Sequence, residues 1–428
     1  MFAAFSTALS ALDANGIAVD VVGNNLANLN TPGYKDSVAY FRDLVSESLG
    51  AGQTQLGFGV ASPLTIREFT QGAIQSSSGP LDAAIQGNGF FVVNNNGSTQ
   101  YTRAGNFQVD LNGNVLTPTG EQVQGWMATG GVVNTGGPVG TITLPLGSMD
   151  SPTPTSGITL SGNFDASAAS GAASDWSAPI TVYDSEGGSH VLTFNFEKTT
   201  VANTWSYTVT VPGGDVSAGT AGTPYQIYPP AGTATPPTLC FGDATSDQSA
   251  GQLVTSSAGN PIALSITGLT DGAQDMSVNW SMDNADGSGL LTQFDQASAL
   301  SASTQNGSAA SDLTQVTMGN GGQLLATYSN GQQLVVGQVA LANIRNPQTL
   351  VAVGNNEYQV SAATAQPAIG APGTGGRGTI VGGALESSNV DIAQELTELI
   401  VLQSAYQANS KVVTTVDTLA QDTTNLIT

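Results

Sequence analysis

Apolar residues recur at seven-residue spacing at both ends of this chain and in neither case continue into the long middle. Residues 2–30 carry Phe5, Leu12, Val19 and Leu26 on one row, with Ala8, Val22 and Leu29 on the offset row. Residues 390–427 repeat the pattern with Ile392, Leu399, Tyr406, Val413 and Ile427, flanked by Leu396, Leu402 and Val416. This spacing predicts two amphipathic helices. A lone helix in water gains too little from its own hydrogen bonds to persist, so each apolar stripe needs a partner. The stripes lie more than 350 residues apart. They must meet each other, or meet the same stripes of other copies, and that requirement points to assembly rather than to chemistry.

The first helix is expected to stop near Asn28-Leu29-Asn30-Thr31-Pro32-Gly33, where Asn, Pro and Gly favour a turn. Gly16 and Gly23 each cost it roughly 1 kcal/mol relative to Ala, so packing must hold it, and both ends are expected to gain order on assembly. Residues 34–70 read as a connecting stretch. The last helix is expected to be capped by Ser388 or Asn389, with Asp391 and Glu395 complementing its positive end. Its length, about 55 Å at 1.5 Å per residue, exceeds what a compact domain of this kind needs.

Between the helices the pattern is strand and turn. Phe90-Phe91-Val92-Val93 precedes Asn94-Asn95-Asn96-Gly97, and Asn112-Gly113 and Asn330-Gly331 separate further short apolar runs. Asn-Gly tolerates positive φ at both positions and is a strong hairpin signal. Strands are predicted at Ile180–Tyr183 and Val191–Phe196, split by Asp184-Ser185-Glu186-Gly187-Gly188, and at Gln323–Tyr328 and Gln333–Ala340. Pro145, Pro152 and Pro154 mark a hinge near 145–156, and the Pro-, Gly- and Thr-rich stretch 212–238 reads as a surface loop. The fold class is therefore α+β, with a mostly antiparallel middle.

Charge narrows the function. Eight basic residues face 31 acidic ones, for a net charge of −23. A nucleic-acid binder needs a basic surface to displace counterions, and an anionic membrane needs one too, so both partners are disfavoured. Only 9% of residues are charged at all, well below the usual quarter. One cysteine, Cys240, permits no intramolecular disulfide. The N-terminus shows neither a basic region nor an uninterrupted apolar one, so no cleaved secretory signal is readable. The chain is expected either to stay in the cytosol or to leave by a route that needs no such signal.

Candidate chemical sites fail on their surroundings. His190 is the only histidine, has no second histidine to share a metal, and reads as a satisfied surface residue. Cys240 reads as a small buried hydrophobe. Gly373, Gly375 and Gly378 fit G-x-G-x-x-G by spacing but lack the following helix that dinucleotide binding requires, and read as a linker. Asp283-Asn284-Ala285-Asp286-Gly287 hints at a calcium loop, yet its third and twelfth positions are Ala285 and Phe294. No catalytic, cofactor or metal residue is assigned, and no enzyme is expected.

The same termini carry a family resemblance. Ala27-Asn28-Leu29-Asn30-Thr31-Pro32-Gly33-Tyr34-Lys35 resembles the N-terminal signature of the rod and hook axial proteins of the bacterial flagellum. Leu385-Glu386-Ser387-Ser388-Asn389-Val390-Asp391 and Ala405–Val412 resemble that family's C-terminal motif. Residues 81–92 with Tyr101-Thr102-Arg103 are similar to its inner β-domain, and 180–187 with 190–192, 328–331 and 340–347 are similar to the hook branch of the family. The family motif residues are thus Ala27, Asn28, Asn30, Thr31, Gly33, Tyr34, Lys35, Ser388, Asn389, Val390 and Asp391.

The resemblance implies a homopolymer, a curved hollow tube that works as a universal joint between rod and filament. Its subunits would leave unfolded through the flagellar type III export apparatus, without a cleaved signal, to an extracellular position. Implied partners are the distal rod protein, the hook cap protein, the hook–filament junction protein and the hook-length control protein, with no nucleic acid. The terminal helices, 1–30 plus 385–428, would pair as a coiled coil lining a channel. Their assembly residues are Phe5, Leu12, Val19, Val22, Leu26, Ile392, Leu396, Leu399, Leu402, Tyr406, Val413 and Val416. Residues 31–70 plus 361–384 would connect, 71–150 plus 300–360 form an inner β-domain, and 151–299 an outer one. A distal-rod subunit is the nearest alternative, and its chain should lack 151–299. A secreted acidic adhesin or surface-layer protein is the alternative from another class.

Overall fold

The computed structural model describes residues 2–45, 57–147, 149–230, 232–233, 235–243, 250–284 and 287–425. Ile427 of the C-terminal stripe, and Ala285 and Asp286 of the acidic turn, lie outside the described residues. The chain divides into two compact units. The first comprises residues 1–146, 314–327 and 332–428, and the second 147–313 and 328–331. The hinge expected near 145–156 spans the point where the chain leaves the first unit.

In the first unit, helix α1 (Phe2–Ala27) ends where Asn28, Thr31 and Pro32 were expected to end it. Residues 34–70 are more than a connector. Ser37–Val45 and Gly57–Arg67 form a long antiparallel hairpin, with Ser37 opposite Arg67. It abuts α1 so closely that a Cβ on Gly59 would lie 2.2 Å from Ser10 Oγ. The main sheet contains Phe90–Asn95, Ser98–Thr102, Gln122–Thr129 and Gln333–Val339. Asn96 and Gly97 turn its first hairpin with φ of 49° and 90°, the paired positive values of a type I′ turn. The Asn112-Gly113 and Asn330-Gly331 turns also join paired strands, as expected. Phe90, Val92, Tyr101, Trp126, Ala342 and Tyr358 form the core beside this sheet.

The chain returns to its beginning by two short pairings. Thr379–Gly382 lies antiparallel to Ala83–Gln86, and Ala384–Glu386 to Ile74–Ser76. Helix α2 (Ile392–Asn425) follows. Its cap is neither Ser388 nor Asn389. Asp391 Oδ1 accepts the backbone N–H groups of Ala393 and Gln394 at 2.8 and 3.2 Å, which is N-cap geometry. Asn389 is diverted to residues near the start of the chain. No helix among the described residues is long and apolar enough to cross a membrane.

The second unit is a pair of sheets. One contains Ile262–Ile266, Met276–Ser281, Gly157–Asp165, Leu291–Phe294 and Ala299–Gln305. The other contains Trp176–Tyr183, Ser189–Lys198, Thr204–Pro212, Thr238–Phe241 and Leu253–Ser256, with Pro224–Tyr228 at its side. Burial alternates residue by residue along Gly157–Asp165 and Ser189–Lys198, the period-two signature of strands with one buried face. Aromatic rings fill the core: Phe164 lies 5.1 Å from Trp205, and Phe194 lies 4.7 Å from Trp280. Pairing is mostly antiparallel, but Gly157–Asp165 runs parallel to both Met276–Ser281 and Leu291–Phe294.

Three sequence expectations change here. The boundary placed at 299/300 falls inside a strand, because Ala299–Gln305 pairs with Gly157–Asp165 in this unit. The loop 212–238 carries the strand Pro224–Tyr228, whose Tyr225, Ile227 and Tyr228 pack on the core. Cys240 is half-buried rather than buried, since its neighbours Leu239 and Phe241 take the inward positions of that strand. Trp205→Ala, a cavity at the centre of the aromatic cluster, should destabilise this unit by about 3–5 kcal/mol. In urea unfolding followed by tryptophan emission, its transition should move to lower denaturant while that of the first unit, read from Trp126, stays in place.

Candidate functional site

Among the described residues of the first unit, a buried polar cluster joins the two ends of the chain. Glu386 is at its centre and is 1% exposed. Its Oε1 accepts from Lys35 Nζ at 2.6 Å and from the Gly72 N–H at 2.9 Å. Its Oε2 accepts from an Arg103 guanidinium nitrogen at 3.2 Å. Lys35 also donates to the Thr70 carbonyl at 2.5 Å, and Arg103 to the Gly87 carbonyl at 2.9 Å. Burial pushes the Lys35 ammonium below its ordinary range, and Glu386 opposes that fall. Arg103 is lowered by burial too, again against the pull of Glu386, and its guanidinium carbon lies 5.3 Å from the Phe90 ring centroid.

The backbone is shaped to bring these groups together. Gly33 adopts φ 67°, and a Cβ there would lie 2.5 Å from the Arg103 carbonyl carbon. Its N–H donates to the Glu386 carbonyl at 2.7 Å. No other residue fits both conditions. The N-terminal turn is thereby pressed against both the Arg103 strand end and the return strand.

A second cluster extends the junction to the helices. Asn389 Oδ1 accepts the Asp36 N–H at 2.7 Å, and its Nδ2 donates to Asp36 Oδ1 at 2.6 Å, to the Glu68 carbonyl at 3.0 Å and to Thr70 Oγ1 at 2.9 Å. Asn25, on α1, accepts from Tyr34 Oη at 3.2 Å and from the Ser37 N–H at 3.0 Å. Its Nδ2 donates to the Ser37 carbonyl and to Glu395 Oε1 on α2, at 2.8 and 3.0 Å. Burial raises the Glu395 carboxyl, and Asn25 moderates the rise. Asn356 Nδ2 donates to the Pro32 carbonyl at 2.9 Å.

Of the family-motif residues, Gly33, Tyr34, Lys35 and Asn389 are brought together here. Asp391 caps α2, Val390 is buried, and the Ser388 hydroxyl accepts the Val390 N–H at 3.3 Å. Asn28 Nδ2 donates back to Asn24, and its Oδ1 accepts from Thr31. Ala27 and Asn30 are exposed. Asn25 and Glu395 were not singled out as site residues. Asn25 sits among polar residues near a helix end, and a buried role has no periodic signature.

The helical stripe is only partly satisfied within one chain. Ala18, Val22 and Leu402 form a buried cluster, with Val19, Leu26 and Leu399 half-buried against it. Leu12, Val413 and Val416 are half-buried. Phe5, Ile392, Leu396 and Tyr406 remain 39–48% exposed, and Ile400 and Val401 above 60%.

Near this junction Glu357 is 3% exposed and faces Glu121. Burial, and then the neighbouring Glu121, push Glu357 up to about 8. Burial opposes charge on Glu121 as well, but hydroxyl donation from Thr117 and Thr119 holds it below its ordinary range.

Family models match four stretches of the chain. The flagella basal body rod protein model matches residues 5–35, the flagellar hook protein FlgE/F/G D1 domain 84–166, the flagellar basal body protein FlaE D2 domain 148–308, and the flagellar basal body rod FlgEFG C-terminal model 381–426. The flagellar hook protein FlgE of Escherichia coli K12 is 33% identical, aligned over 99% of this chain and all of its own. That of Borreliella burgdorferi is 30% identical over the whole of both chains. A crystal structure of Helicobacter pylori flagellar hook protein FlgE2 shares the fold at a TM-score of 0.50 and 15% identity, covering 72% of this chain and 99% of that one.

Two predictions follow from the charges. Glu386→Gln leaves two buried cations facing a neutral amide and should cost the first unit about 3–5 kcal/mol, read as a lower urea midpoint of the Trp126 signal. For Glu357, the folded state keeps a proton that the unfolded chain releases, so stability falls as pH rises from about 4.5 through about 8. Glu357→Gln should flatten this decline, checked by urea midpoints on either side of that window.

Proposed function

The chain belongs to the flagellar hook protein FlgE family and is a structural subunit of the hook; from that premise we propose that the junction of its ends presents a helical surface which other copies complete. The observation that carries this is the split in the apolar stripe. Val19, Val22, Leu26, Leu399 and Leu402 meet within one chain, whereas Phe5, Ile392, Leu396, Ile400 and Tyr406 face outward. Covering a large apolar side chain contributes about 1.5–3 kcal/mol, and several of them per copy drive association.

Identical contacts that do not close on themselves generate an open helix of subunits. In this reading the paired helices form a coiled coil around a central channel, and copies gain helical order as they cover one another. Residues of the first unit outside the helices form the inner domain and those of the second the outer. The polymer is a curved tube that transmits torque as a universal joint. Export through the flagellar type III apparatus would place it outside the cell. The distal rod, hook cap, hook–filament junction and hook-length control proteins are its proposed neighbours. The distal-rod alternative called for a chain without 151–299, and the D2-domain match over 148–308 argues against it. The family also sets aside the adhesin reading, and its members are structural proteins rather than enzymes.

The test is a double substitution on the outward face, Leu396→Asp with Ile400→Asp. Both sites are exposed in one chain, so monomer stability should change by no more than about 0.5 kcal/mol for each. Electron microscopy should show no tubes. Tubes of normal length and curvature from this variant would refute the assignment of that face to assembly.

A further inference from the structure

His190 is not the surface histidine that its position after a Gly-Gly turn suggests. It is 5% exposed, at one end of the second unit. Nδ1 lies 3.0 Å from Asp215 Oδ2, and Nε2 lies 2.9 Å from Asp184 Oδ2 and 3.3 Å from Asp271 Oδ2. The three carboxylates come from three separate connections. Asp184 opens the turn between Trp176–Tyr183 and Ser189–Lys198, and its Oδ1 accepts the Glu186 and Gly188 N–H groups. Asp215 lies in the loop after Thr204–Pro212. Asp271 lies between Ile262–Ile266 and Met276–Ser281, strands of the opposite sheet. The ring therefore ties together loops from both sheets.

The geometry fixes what the ring must be. A neutral imidazole has one N–H and one lone pair, whereas an ionised carboxylate only accepts. With carboxylate oxygens opposite both nitrogens, a neutral ring would set its lone pair against an anion at about 3 Å. The imidazolium donates on both sides. We propose that protonated His190 is a clamp holding the 184–188 turn, the 213–223 loop and the 267–275 loop together, and that alkaline pH releases it and loosens this end of the second unit.

Other charges near the ring act in the same direction or not at all. Glu186, in the same turn, points to solvent, and Asp275 accepts the Gly268 N–H. Lys198, the one basic residue of 151–299, is engaged elsewhere, with the Ala166 and Ala168 carbonyls. Gly188 completes the fit, since a Cβ there would lie 2.4 Å from Asp184 Oδ2. Burial opposes charge on the ring, but the bonds to Asp215 and Asp184 outweigh it and raise His190 above its ordinary value. The stabilisation is thus full below the unfolded histidine pKa and is lost as pH rises through the higher folded one.

Because the chain has a single histidine, nitrogen-15 labelling of histidine in the full-length protein gives one imidazole to follow by NMR without assignment. Both ring nitrogens should be protonated at about pH 7, and titrate above the ordinary value of about 6.5. Asp215→Asn should lower that midpoint. The urea midpoint of the second unit should fall through the same pH interval in the wild type and stay level in His190→Gln. A ring that is neutral at about pH 7, or that titrates at or below the ordinary value, would overturn the clamp. So would Zn2+ added after chelation, if it raised the alkaline unfolding midpoint and shifted a ring nitrogen, for the cluster would then be a metal site. Should His190→Gln fail to fold, the Asp215→Asn titration still decides.

Discussion

Glu386 accepts from Lys35, from Arg103 and from the Gly72 backbone with its whole carboxylate withdrawn from water. Desolvating three ionic groups costs several kcal/mol for each, and the cluster offsets this only because nearly every polar atom finds a partner. An apolar cluster of similar volume could be as stable. It would not be as directional. Lys35 Nζ, the two terminal nitrogens of Arg103 and the acceptors of Glu386 find these partners in one register of the N-terminal turn, the 98–102 strand and the return strand. Gly33, with its positive φ and its contact with Arg103, is the backbone side of the same constraint.

From that junction the rest of the first unit follows. Asn25 and Asn389 carry the hydrogen bonding outward to the hairpin and to α2, so the helices leave the junction side by side. Among the described residues, an apolar cluster joins their near ends. Ile392, Leu396 and Ile400 on the near part of α2, and Phe5 and Tyr406 farther along, are left exposed, and the proposed assembly rests on those residues. A buried polar base beside an unfinished apolar surface suits a subunit that assembles with its own copies. The second unit obeys a different logic. Its two sheets bury an aromatic core by simple alternation, and its one histidine is placed among acidic loops at the end of the sandwich.

Much of this was legible in the residues. Seven-residue spacing announced α1 and α2, Asn-Gly announced the hairpins at 96–97, 112–113 and 330–331, and the turn residues 184–188 separated the two strands predicted on either side of them. The less legible features are those in which a local signal competes with a distant partner. Asn389 looks like a helix cap, but Asp36, Glu68 and Thr70 claim it, and Asp391 takes the cap. His190 looks exposed beside a Gly-Gly turn, but loops 25 and 81 residues away close over it. The 300–305 segment reads as inner domain until its pairing with Gly157–Asp165 is seen.

The sequence by itself determined the periodicities, the turns and the absence of a basic surface, because these depend on neighbours within a few residues and on composition. It also carried the motifs that mark the family. Tertiary structure alone decided which charges would be buried together, which half of each apolar stripe would be satisfied within the chain, and what surrounds His190. Those outcomes rest on contacts between residues as many as 370 positions apart, such as Asn25 and Glu395. No local spacing encodes such contacts, since desolvation and hydrogen-bond satisfaction are properties of the packed site.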